Sequence, residues 1–137
     1  GVDALAHVPV EPLSQATAAA WSGRFVIGTI GAFGGAAPAN AAALHQAGAR
    51  LLYGTDFGNT RVVGIDEAEL RAMARAGLSP AEVLAAATRT PAAFWGFDGL
   101  GRLEVGARAA VLVLADDPTR APEALGYLAS PTQVHAP

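Results

Sequence analysis

Arg50-Leu51-Leu52-Tyr53-Gly54-Thr55-Asp56 is the stretch that sets the fold class of this chain. Its apolar run is too short to stand as a helix, and Gly48 precedes it closely, so it reads as a short buried strand. Gly54 lets the backbone turn tightly, and the strand exits onto a carboxylate, Asp56. In folds built on parallel strands, ligands and metals gather at the carboxyl ends of those strands. Asp56 in that place is either a metal ligand or proton acceptor, or an aspartate that caps the following turn.

Two similar strands lie upstream. Val2 to His7 is a short apolar run ending on a polar residue, and Arg24 to Ile30 is rich in β-branched residues. Between them, Leu13 to Trp21 is helical in composition and Gly23 closes it. Gly31 to Gly35 reads as a flexible loop, and Pro38 to Ala47 as a helix ended by Gly48. Strand, helix, strand, helix, strand at a spacing of about 20 to 25 residues predicts parallel pairing through helical crossovers. Such strands are expected to be buried on both faces.

After Asp56 the pattern changes. Asp66 and Glu69 have the spacing of a capping box at the start of a helix that Gly77 ends. Ser79, Pro80 and Glu82 open a second helix running to about Thr88 or Arg89, with serine at the cap and proline in the first turn. Thr90-Pro91 opens a third, short helix through Trp95, with Gly96 after it. Leu103 to Val105 and Ala110 to Leu114 read as two short strands around Gly106. From Asp116 the proline-rich tail loses periodicity. Trp21, Phe94 and Trp95 are expected to pack in the core or between helices.

Composition excludes several classes. A chain of 137 residues is by default one domain with room for a core. No apolar run approaches the ~20 residues needed to span a bilayer, and no signal-peptide pattern opens the chain. The first residue is not Met, which fits a sequence with more chain before Gly1. Net charge is −3 and the arginines are scattered, which argues against a nucleic-acid partner. Cysteine is absent, so there is neither a disulfide framework nor a thiolate metal site, and a cytoplasmic location is compatible. Lysine is absent too, which removes it as a catalytic group. The glycines at 31, 34 and 35 do not form a dinucleotide or phosphate loop.

Two side chains share a position type. His7 ends the first strand and Asp56 the third, so a parallel sheet opens both onto one edge. An imidazole and a carboxylate suit zinc or a similar metal, and they equally suit a base with its orienting partner. His7 also has a plain reading as a buried, hydrogen-bonded histidine. A catalytic zinc takes three protein ligands and a water, so two groups do not close a site. His45, within a helix, and His135, in the tail, are not expected to supply the rest.

Four segments, in order, resemble the C-terminal portion of a metal-dependent amidohydrolase of the imidazolonepropionase and prolidase-like branch. Gly1 to His7 resembles the sixth barrel strand with its metal-site histidine, and Ala47 to Asp56 the eighth strand with its metal-site aspartate. Glu69 to Leu84 and Ala86 to Ala92 resemble the helices after the barrel, and Leu100 to Leu114 the return into a small β-domain. The resemblance implies an α/β fold: the last three βα units of a (β/α)8 TIM-type barrel, trailing helices and part of a β-domain. Residues 1–97 would be the barrel portion, 98–118 the β-domain return and 119–137 an irregular tail.

The resemblance further implies hydrolysis of carbon–nitrogen bonds, amide-like, non-peptide or dipeptide, in a small-molecule substrate through a metal-activated water. It implies one or two divalent ions, zinc foremost, with His7 and Asp56 as ligands and Asp56 as the catalytic proton acceptor. The chain departs from the family in lacking the first-strand His-x-His, the fourth-strand lysine and the fifth-strand histidine. Ala110 stands where the family has aspartate, and no closing strand for the β-domain is evident. A barrel typically needs ~200 residues or more, so the chain is expected to be a fragment, inactive alone. The alternative is a non-catalytic partial barrel that serves as an assembly or binding module, with self-association as one outcome. A small doubly wound α/β domain accounts for the alternation but not for the helices after Asp56.

Overall fold

The structure, a computed structural model, describes residues 1–136. Three strands, β1 (Ala4–Ala6), β2 (Phe25–Ile27) and β3 (Arg50–Leu52), form a parallel sheet in the order β1-β2-β3. The register aligns Leu5 with Val26 and Val26 with Leu51. Helix α1 (Gln15–Ala19) joins β1 to β2, while α2 (Ile30–Phe33) and α3 (Ala37–Gln46) join β2 to β3. Ser14 starts α1 by accepting the Thr17 N–H on its hydroxyl oxygen. Gly48, at φ 89°, turns the chain out of α3 and into β3.

Helices α4 (Glu67–Arg75), α5 (Pro80–Ala86) and α6 (Arg89–Trp95) follow β3. Asp66 caps α4 by accepting the Ala68 N–H, and Ser79 with Glu82 closes a full capping box on α5. One core joins Val8, Val26 and Leu51 of the sheet layer to Ala41 and Leu44 of α3, Leu70 and Met73 of α4, and Val83 of α5. Each fully buried Leu or Met in it contributes about 1.5–3 kcal/mol relative to exposure. Leu125 and Leu128, from the C-terminal segment, seat on the same core. Asn40, buried in α3, accepts the Leu13 N–H and donates to the carbonyls of Pro9 and Glu11. That side chain fixes the path of the loop leaving β1.

Several expectations need correction. The strands are not buried on both faces: Val26, Leu51 and Leu52 are buried, but Ala6 and Arg50 are exposed. Among the described residues β1 and β3 each pair on one side only, so both are sheet edges. Gly31 to Gly35 is not simply a loop, because α2 fills its first half. Leu103 to Val105 form no strand, and both Leu103 and Val105 are fully exposed. Glycines 99, 101 and 106, all at positive φ, coil this segment instead; at Gly101 an added Cβ would lie 2.7 Å from Arg89 Cα.

The strand β4 (Val111–Val113) pairs antiparallel with β5 (Gln133–His135), Leu112 opposite Val134. The partner of β4 thus comes from residues 119–137, expected to be an irregular tail. That stretch also carries a 3₁₀ turn (Pro122–Leu125) and α7 (Gly126–Ala129). Trp95 is 55% exposed rather than packed in the core, although the Phe94 ring beside it meets Phe25 at a tilt of 51°.

Candidate active site

Three residues other than glycine have positive φ among the described residues, and each lies in the connection leaving one parallel strand: His7 directly after β1, Thr29 two residues after β2 and Asp56 four residues after β3. His7 (φ 72°) follows β1, Thr29 (φ 60°) follows β2, and Asp56 (φ 54°) follows β3. The left-handed region costs an L-residue roughly 1–2 kcal/mol, and a β-branched residue is the least at home there. Residues held in such conformations concentrate at functional sites, where surrounding contacts over-determine them.

Those contacts are specific. Sheet pairing continues past the named strands through Val8 N–H to the Gly28 carbonyl, Gly28 N–H to the Leu52 carbonyl and Thr29 N–H to the Gly54 carbonyl. His7 Nδ1 lies 2.9 Å from the buried hydroxyl of Thr29. The imidazole also meets the Phe33 ring edge-on at 4.8 Å between centroids. Asp56 Oδ2 accepts a 2.6 Å hydrogen bond from Asn59 Nδ2, and the Asp56 carbonyl accepts the N–H groups of Asn59 and Thr60. Tyr53 pins the far end of that loop: its hydroxyl oxygen accepts the Asp66 N–H at 2.6 Å. Burial raises the Tyr53 phenol above its usual range.

The structure thus places His7 and Asp56 in the connections that leave the carboxyl ends of β1 and β3 in one sheet. The strands that carry them lie two sheet spacings apart, roughly 10 Å, with β2 and Thr29 between. Imidazole and carboxylate fit a zinc site in kind. They fall short in number: among the described residues no three His, Asp or Glu side chains come together as a metal cage. His45 is half-buried on α3, with its ring near Gly77, and His135 is exposed on β5 in the other sheet. Neither joins the pair. Surface clefts also lie elsewhere, such as one of about 610 Å³ between Glu67, Arg120 and Tyr127.

One residue was missed by sequence reasoning. Glu69 does not close a capping box on Asp66. Its side chain is buried and crosses to the turn after β2, where Oε1 accepts the Ile30 N–H at 2.8 Å and Oε2 the Gly31 N–H at 2.9 Å. Burial raises its pKa above the ordinary carboxylate value, outweighing the backbone hydrogen bonds from Gly31 and Ile30, which lower it. Gly28 makes room for it: a Cβ there would sit 2.8 Å from Glu69 Oε1. A signal was present, because Glu69, Ala72, Met73 and Ala76 lie on one helical face and all are buried.

These features describe a mixed α/β protein whose polar groups collect at the carboxyl edge of a parallel sheet. A family model described as the amidohydrolase family matches residues 36–136, and the chain belongs to that family. A crystal structure of an amidohydrolase is similar, with a TM-score of 0.75 and 27% identity over 98% of this chain. The chain spans 38% of the length of that protein. No curated protein sequence matches the chain. No helix among the described residues is long and apolar enough to cross a membrane.

Proposed function

We propose that the intact protein carrying this chain is a metal-dependent hydrolase of carbon–nitrogen bonds in small molecules, of the imidazolonepropionase and prolidase-like branch. The observation that supports this reading is the set of positive-φ residues in the connections leaving three adjacent parallel strands, two of them His7 and Asp56. In this reading residues 1–97 are the last three units of a (β/α)8 barrel, and residues 98–118 begin a small β-domain that β5 helps to close. His7 and Asp56 would be part of the ligand set for a divalent ion, zinc by donor type, with further ligands from chain outside these residues. Such an ion supplies a water acidified toward neutral pH.

The chain's own groups then have separate tasks. Asp56 would take the proton that the attacking water gives up, and Asn59, by donating to Oδ2, would keep the carboxylate oriented as its charge changes. Thr29 fixes the His7 ring through Nδ1, and Phe33 packs edge-on against it.

Metal analysis and amide hydrolysis, with and without the sequence upstream of Gly1, test this proposal. The longer protein should bind metal and turn over, and the 137-residue chain should do neither. Tight stoichiometric zinc binding by the short chain alone would contradict the reading. A second reading, a non-catalytic assembly module, draws on the two open edges at β1 and β3. Sedimentation of the short chain tests it: a well-folded, monodisperse monomer would count against the assembly role and against the fragment reading alike.

A further inference from the structure

Thr29 stands in a costly conformation, and Glu69 has lost its water, for the sake of one three-residue turn. A bare connection from β2 to α3 needs neither feature. Glycine at position 29 would adopt φ 60° without strain, and solvent or a neutral side chain could cap α2. What the two residues together achieve is the placement of one hydroxyl. Glu69 grips the N–H groups of Ile30 and Gly31, immediately after Thr29. Thr29 N–H is tied to the Gly54 carbonyl on the other side. With the backbone held from both directions, Thr29 Oγ1 meets His7 Nδ1 at 2.9 Å.

We propose that Glu69 and Thr29 are positioning residues for His7: the carboxylate clamps the turn, the turn holds the hydroxyl against Nδ1, and Nε2 is thereby the nitrogen offered to a metal ion or substrate. The use made of Nε2 rests on the reading of His7 given above; the positioning itself does not. Among the described residues Nε2 has no hydrogen-bond partner. A hydroxyl suits the task because it can accept from Nδ1–H when Nε2 serves as a ligand, or donate to Nδ1 when Nε2 carries the proton. The partner of the second ring nitrogen fixes tautomer and orientation at metal-ligating histidines, and its loss typically costs about 10–100-fold in metal affinity.

The test uses the full-length protein with Thr29→Val, Thr29→Ser and Glu69→Gln, each compared with His7→Gln to assign the ring signals. The readouts are the His7 ring ¹⁵N shifts in the metal-free protein and the zinc dissociation constant. Thr29→Val, nearly isosteric and so the least disturbing to the fold, should move both ring shifts and weaken zinc binding about 10–100-fold. Thr29→Ser should restore both, and Glu69→Gln should move the ring shifts in the same direction by a smaller amount. Unchanged ring shifts in Thr29→Val would overturn the positioning role, whatever zinc does. Ring shifts that move with Thr29→Val, while His7→Gln binds zinc as tightly as wild type, would uphold positioning and overturn the ligand role of His7.

Discussion

Replacing Glu69 with alanine should loosen the turn after β2 more than any surface change on α4. The two hydrogen bonds it removes, at 2.8 and 2.9 Å, end on a carboxylate. Bonds to charged groups contribute about 1.5–3 kcal/mol each, so the pair gives roughly 3–6 kcal/mol before the desolvation of the carboxylate is returned. Ile30 is 2% exposed, so its N–H would be left without water, while Gly31 is open enough to recover a solvent partner. The expected net loss is therefore about 2–4 kcal/mol, and about half that for Glu69→Gln, whose amide oxygen keeps one bond. Hydrogen exchange at Ile30 and Gly31 gives the local measure: a loss of 2 kcal/mol is about a 30-fold faster opening. Urea unfolding gives the global one, with an unchanged slope. Burial holds the Glu69 carboxyl above its ordinary value of 4.5, so the folded state binds that proton more tightly than the unfolded chain. The stability this contributes is complete below 4.5 and is lost as pH rises through the raised folded value, a slope that Glu69→Gln should remove. A Glu69→Ala cost under about 0.5 kcal/mol, the range of a neutral surface change, with unaltered exchange at Ile30, would refute the reasoning.

Gly28→Ala should destabilise by about 1–3 kcal/mol through crowding against Glu69 Oε1 and the Leu52 carbonyl, and clearly less in a Glu69→Ala background; paired urea melts measure that coupling. Asn40→Ala removes three hydrogen bonds between α3 and residues 9–13 and should cost about 2–4 kcal/mol, with faster proteolysis near Pro12 as the check. Ser79→Ala should cost about 1 kcal/mol by opening the capping box on α5. Hydrogen bonds from Ser79 hold the Glu82 carboxyl below its ordinary value. Their contribution is therefore present above the unfolded carboxylate pKa and lost as pH falls through the folded value, so the stability-versus-pH curve of Ser79→Ala should be flatter on the acid side.

The parallel sheet was legible because its strands are short apolar runs punctuated by glycine, and local composition alone marks such runs. The placement of His7 directly after β1 was legible for the same reason, whereas β3 ends at Leu52, so Asp56 lies four residues beyond the strand rather than at its end. Asp66/Glu69 and Ser79/Glu82 show where that kind of reading stops. Both pairs have the spacing of a capping box, yet only the second makes one. Nothing local decides whether a glutamate folds back on its own helix or reaches a turn 38 residues earlier in sequence. Packing decides it, because Glu69 sits on the buried face of α4 and Glu82 on an exposed one. The strand expected at Leu103 to Val105 is absent for a related reason. Leu103 to Val105 has the apolar alternation of a strand, but glycines on either side coil it into solvent, and β5 pairs with β4 from 20 to 24 residues away.

Turnover and bound zinc in the full-length protein, wild type against Asp56→Asn, test the central claim most directly. An amide at position 56 keeps the shape and can still accept from Asn59, but it cannot take a proton from water. The account predicts turnover lower by about 10²–10⁴-fold, the usual reach of a positioned general base, together with weaker zinc retention. Wild-type turnover with full zinc content in Asp56→Asn would contradict it.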